Sequence, residues 1–172
     1  MSFRYPDRYF KRISDINIKT DILDKGFKNV LLDVDNTILT RDESIVPKDV
    51  KAWLKELRSK GVKICLISND WHANVRDLAI DLDLPIVVRS LKPLPPAFFR
   101  ALKKIGAKKQ NSIMIGDQLM TDVFGSHAVG IKCYMVEPLV EKDLVHTLLL
   151  RKIERVLLKG HNPEGQDKAN EK

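Results

Sequence analysis

The chain has 172 residues, of which 44% are apolar and 31% charged. That is enough to bury one core and too apolar for an unfolded chain. Lys and Arg number 30 against 23 Asp and Glu, a net charge of +7. No apolar run is long enough to span a bilayer, and no apolar segment follows the basic N-terminal residues, so neither a membrane span nor a secretory signal is expected.

Residues 1–29 read as an extension outside the core, with Phe3, Tyr5, Tyr9 and Phe10 interleaved with Arg4, Arg8, Lys11 and Arg12. From there strand and helix alternate with short connections. Strands are predicted over 30–34, 62–67, 86–88, 112–115 and 131–136. Between them lie helices over 47–60, around 71–81, and over 95–105 and 119–128, with Pro47 and Pro96 in first turns and Gly61 and Gly106 at the ends. Five apolar strands separated by helices imply an α/β fold, a mostly parallel sheet with helices on both faces. A core domain over 30–159 is expected to close with an amphipathic helix over 141–159 packed on the sheet, followed by a disordered polar tail over 160–172. Cys65 and Cys133 sit in apolar stretches without metal-type spacing and read as buried free thiols of a reducing compartment. Trp53 falls in a helical pattern and is expected in the core. His127, His146 and His161 have no ligand spacing.

The residues at the end of each strand are chemically specific. The first strand ends in Asp33-Val-Asp35-Asn-Thr37, with both carboxylates on one side of the strand end. Ser68-Asn69 comes after the second, Lys92-Pro93 after the third, and Gly116-Asp117 after the fourth, with Asp122 five residues beyond Asp117. In a parallel sheet these four loops open at one edge. Clustered carboxylates need a cation, and hard oxygens favour Mg²⁺. With a hydroxyl and a lysine to stabilise transferring oxygens, the set suits phosphoryl transfer through an aspartyl phosphate.

These four motifs, in this order over Asp33–Asp122, resemble those of the haloacid dehalogenase (HAD) superfamily of phosphotransferases, with its Rossmann-like fold. The resemblance implies Asp33 as nucleophile and Asp35 as general acid/base. It implies Thr37, Ser68, Asn69 and Lys92 at the phosphate, and Mg²⁺ held by Asp33, Asp117 and Asp122, with Asp35 lending its backbone carbonyl. An Asp at position 35 is the phosphatase and phosphomutase pattern of this superfamily. Residues 36–67 and 69–91 are already used by core elements, so no cap domain fits, and an open site suits hydrolysis of a phosphate on a large substrate. Gly116-Asp117-Gln118-Leu119-Met120-Thr121-Asp122, Asp33-Val34-Asp35-Asn36-Thr37, Lys92-Pro93 and Gly26-Phe27-Lys28 resemble more closely the YqeG family of HAD class III phosphatases, over roughly residues 4–158. That family is similar to phosphatidylglycerophosphate phosphatases.

Seven basic residues and no acid lie between Arg89 and Gln110 (Arg89, Lys92, Arg100, Lys103, Lys104, Lys108 and Lys109). They read either as a solvated helix face or as a contact surface for anionic lipid, nucleic acid or phosphate. The leading expectation is a Mg²⁺-dependent phosphatase releasing phosphatidylglycerol from phosphatidylglycerophosphate, cytoplasmic with a peripheral contact on the inner face of the membrane. The basic run and the aromatic-basic N-terminus motivate the membrane contact. The alternatives are a soluble sugar- or metabolite-phosphate phosphatase and an RNA- or ribosome-associated binding protein; DNA is not an expected partner. Asp70, Trp71 and His72 read as a helix start capped by Asn69 or Asp70, against a substrate contact.

Overall fold

The computed structural model of the protein describes residues 5–40, 45–71, 73–139 and 162–165. The expected helix over 141–159, most of the polar tail, and His72, His146 and His161 lie outside the described residues.

Six parallel strands form one sheet: β1 (Arg8–Phe10), β2 (Asn29–Asp33), β3 (Lys63–Ile67), β4 (Ile86–Val87), β5 (Ser112–Gly116) and β6 (Lys132–Val136). Their spatial order is β1-β6-β5-β2-β3-β4. The five expected strands are present within a residue or two of their predicted bounds, joined by a sixth. Along β2, β3 and β5 the side chains alternate between two apolar layers, as the two-residue strand period requires. Val30, Leu32, Ile64, Leu66, Ile113 and Ile115 enter one layer, with the buried faces of α1 (Lys48–Ser59) and α2 (Ala73–Asp81). Leu31, Cys65, Ile67 and Met114 enter the other, with Ala97, Phe98, Ala101 and Leu102 of α3 (Pro95–Ile105). Gly106 closes α3 in the left-handed conformation that glycine adopts without strain, at φ 61°. The helix expected over 119–128 divides into a π-helical turn, Leu119–Val123, and the short α4 (Phe124–Ala128).

The sixth strand comes from the segment expected to lie outside the core. β1 pairs with β6, Arg8 opposite Tyr134 and Phe10 opposite Val136. Phe10, Ile13, Ile16, Ile18, Ile22 and Phe27 are all buried in the α1 layer. Phe10 and Phe27 pack against the ring of Tyr134 at centroid distances of 5.6 and 6.2 Å. Arg8 and Arg12 are used internally. Arg8 pairs with Asp21 and Glu164 and stacks over Phe10 at 4.5 Å, and Arg12 pairs with Asp49 at the start of α1. Phe10, Arg8 and Arg12 therefore serve the fold. Glu164, in the expected disordered tail, lies along β1, its N–H donating to the Tyr9 carbonyl at 2.7 Å.

Trp53 is buried, with Nε1 donating to the Ile16 carbonyl at 2.8 Å, and both cysteines are buried free thiols. Between Asp33 and Lys92 the described residues form turns, helices and strands of this one unit, with no separate cap among them.

Candidate active site

β2 lies at the centre of the sheet, between β5 and β3, at the switch point where open α/β sheets bind ligands. Register brings the motifs together. Asp33 is opposite Ile67, after which comes Ser68; Leu32 is opposite Ile115, after which come Gly116 and Asp117. Beyond Asp33 the chain folds into a tight turn. The Ile38 and Leu39 N–H groups donate to the Val34 carbonyl, and Asn36 takes a left-handed φ of 66°. Within this turn the Thr37 hydroxyl donates to Asp33 Oδ2 at 3.1 Å, so Thr37 orients the first acid.

Asp33, Asp117 and Asp122 are buried and converge, with one oxygen from each lying within 4.8 Å of the others. The ammonium of buried Lys92 bridges two of them, donating to Asp33 Oδ1 and, at 2.7 Å, to Asp122 Oδ1. Burial opposes charge on Lys92, but Asp122 and Asp33 outweigh it, and its pKa is raised above the usual lysine range. Burial, reinforced by Asp33 and opposed by Lys92, pushes the Asp122 carboxyl up to about 6. Three carboxylates against one ammonium leave two negative charges in excess. An all-oxygen, doubly negative, buried donor set fits a hard divalent cation such as Mg²⁺.

Gly116 makes this approach possible. A Cβ there would overlap the Asp122 carboxylate, whose Oδ2 instead accepts from the Gln118 N–H at 3.1 Å. Asp35 is half-buried and its carboxylate lies outside the trio; it accepts a hydrogen bond from the Ser68 hydroxyl at 2.8 Å. The metal role expected of Asp35 concerned its backbone carbonyl rather than this carboxylate. The Ser68 oxygen in turn accepts from the Asp70 N–H at 2.9 Å.

Asn69 does something the sequence did not indicate. Its Oδ1 accepts from the Ser90 hydroxyl at 2.6 Å and from the Lys92 N–H at 2.8 Å, and its Nδ2 donates to the Lys92 carbonyl at 3.0 Å. Arg100 adds a brace from α3, donating to the carbonyls of Arg89 and Ser90. Asn69 thus clamps the Lys92 loop rather than capping a helix, and Asp70 Oδ1 accepts from the adjacent Trp71 N–H ahead of α2. The bracing roles of Ser90 and Arg100 could not be read from the sequence, because each depends on how two separate segments meet. His127 contacts Asp7 at 2.9 Å, a tie between α4 and the N-terminal segment.

This geometry can hold a phosphoryl group against Asp33, with Lys92 opposing the charge that develops and Asp35 within reach of a proton to be moved.

A family model described as a haloacid dehalogenase-like hydrolase matches residues 5–130. The chain is 30% identical over 164 residues to a "Probable phosphatase YqeG" of Bacillus subtilis, covering 92% of this chain and 95% of that protein. It is 28% identical over 144 residues to a ribulose-1,5-bisphosphate 5-phosphatase of Halopiger xanaduensis, covering 78% of this chain and 59% of the relative. Among solved structures, a HAD phosphatase from Thermococcus onnurineus superposes with a TM-score of 0.54 at 19% identity, covering 74% of this chain and 98% of that one, a likeness of fold.

Proposed function

The chain belongs to the haloacid dehalogenase-like hydrolases as a phosphatase, and from that premise we propose a Mg²⁺-dependent phosphomonoester hydrolase working through a phosphorylated Asp33. The observation that carries this reading is the buried trio Asp33, Asp117 and Asp122, with Lys92 bridging two of its members. A carboxylate oxygen of Asp33 attacks phosphorus while the substrate's alcohol leaves, taking a proton from Asp35. Asp35 then removes a proton from water, which attacks the acyl phosphate and releases inorganic phosphate and the Asp33 carboxylate. Ser68 holds Asp35 through its hydroxyl, and Lys92 balances charge on the transferring oxygens. Mg²⁺, held by Asp33, Asp117 and Asp122, would screen the repulsion between carboxylate and phosphate.

The substrate we infer is phosphatidylglycerophosphate at an anionic membrane surface. The absence of a separate cap among the described residues and the acid-free run from Arg89 to Gln110 support it. The sugar-bisphosphate phosphatase among the relatives supports a second reading, a soluble sugar phosphate. Purified protein with Mg²⁺ should release phosphate from the lipid in mixed micelles, and Asp33→Asn should lower the rate by about a thousandfold or more. Full activity in Asp33→Asn would end the covalent mechanism. A wild type that hydrolyses sugar phosphates and ignores the lipid would establish the second reading.

A further inference from the structure

Four large apolar side chains stand in solvent on the segments that carry Asn69 and Lys92 and on the helix beyond them. Trp71 is 52% exposed, Leu91 65%, Leu94 54% and Phe99 51%. Leu91 is the most telling of them. Its φ of 65° is a left-handed conformation that bulky residues rarely adopt, so it is strained as well as exposed. The Asn69 clamp explains the conformation: with Ser90 and Lys92 both held, the loop turns Lys92 inward and leaves Leu91 on the outside. It does not explain why an isobutyl group stands there.

Apart from Asp70 next to Trp71, the charged residues on these segments are basic. Arg89 lies over the Trp71 ring at 4.3 Å and is joined through its carbonyl to Arg100. On α3, Ala97, Phe98, Ala101 and Leu102 are buried, so helical spacing places Phe99, Arg100, Lys103 and Lys104 together on the exposed side. Arg100, Lys103 and Lys104 line an open depression of about 540 Å³ along β4. An apolar rim backed by basic residues matches the layering of an anionic bilayer, with acyl chains beneath phosphates. A protein partner would have to supply both an apolar pocket and an acidic ring. An RNA would leave Leu91 and Leu94 without a use.

We propose that this rim is a membrane-docking face. Trp71, Leu91, Leu94 and Phe99 enter the headgroup layer of an anionic bilayer. Arg89, Arg100, Lys103 and Lys104 lie against its phosphates, and the Lys92 loop is held at the lipid surface. The proposal deepens the lipid-phosphatase reading and rests on it for the orientation of substrate, but docking is measurable without turnover.

The experiment is flotation of the full chain with vesicles of phosphatidylcholine alone or mixed with phosphatidylglycerol, alongside hydrolysis of a water-soluble aryl phosphate. Wild type should float with the anionic vesicles only. The double variant Leu94→Asp, Phe99→Asp should bind them at least about tenfold more weakly while keeping its aryl-phosphate activity, since Asp is a favoured residue ahead of a helix. Ile80→Asp, at an exposed apolar site of α2, should float like wild type. A second measurement needs no disruptive variant: brominated phosphatidylglycerol should quench tryptophan fluorescence, and Trp71→Phe should abolish the quenching, because Trp53 is buried.

Wild type that stays with the soluble fraction, undiminished flotation of the double variant, or quenching that survives Trp71→Phe would each overturn the docking face. So would salt-sensitive retention on RNA without vesicle binding. Flotation and quenching as expected, together with no phosphate release from phosphatidylglycerophosphate, would leave the docking face standing and remove the substrate assignment alone.

Discussion

Asn69 shows how a residue can matter to a reaction it does not touch. Its amide holds the Lys92 backbone on both sides and Ser90 as well, and Lys92 in turn meets Asp33 and Asp122. A shift of about 1 Å in such a group can cost a hundredfold in rate. Asn69→Ala is therefore expected to lower kcat by about ten- to a hundredfold with little change in KM, and to leave the circular dichroism spectrum intact. An unchanged kcat would show that Arg100 and the loop backbone hold Lys92 unaided. Asp33, Asp35, Lys92 and Asp117 could be singled out in the sequence because each stands at or beyond a strand end in a fixed short pattern. The role of Asn69 was not, since its partners lie 21 and 23 positions away and are chosen by how two loops meet.

Among the elements, the tie between the N-terminal segment and α1 is one whose chemistry titrates. Asp49 accepts from Arg12 at 2.9 and 3.0 Å and from the Ser14 hydroxyl at 2.8 Å. Burial alone would raise the Asp49 pKa, but the bonds from Ser14 and Arg12 prevail, and its carboxyl is held below the ordinary value of 3.8. A folded pKa below the unfolded one means that the ionised carboxylate stabilises the fold above about pH 4. That stabilisation is lost as pH falls through the lowered folded value. Urea midpoints compared at about pH 7 and about pH 3 should show Asp49→Asn less stable than wild type at the higher pH, with the gap closing at the lower one. An equal gap at both would assign the loss to packing. The pairing itself was hidden, because nothing local links Arg12 to Asp49 and their meeting spans 37 positions.

Across the whole molecule, the N-terminal segment changes the reading most. A three-residue strand of one basic and two aromatic side chains carries no recognisable strand period, and it pairs with β6 more than a hundred positions away. Phe10 is fully enclosed and touches the Tyr134 ring, so Phe10→Ala should destabilise the protein by about 3–5 kcal/mol in denaturant unfolding. A loss below about 1 kcal/mol would return this segment to the periphery. In the loop and helix after β4, exposed apolar side chains now stand beside the basic run already visible in the sequence. Strand-then-loop order along the chain was enough to establish the α/β class and the edge at which four motifs gather, because each depends on residues a few positions apart and on the handed, parallel connections between them. The phosphatase reading came with the motifs' resemblance to a known family. The sixth strand, the clamp on Lys92 and the strained, exposed Leu91 came from folding. Each depends on how distant segments pack and where their polar atoms align, and composition and spacing carry no record of that geometry.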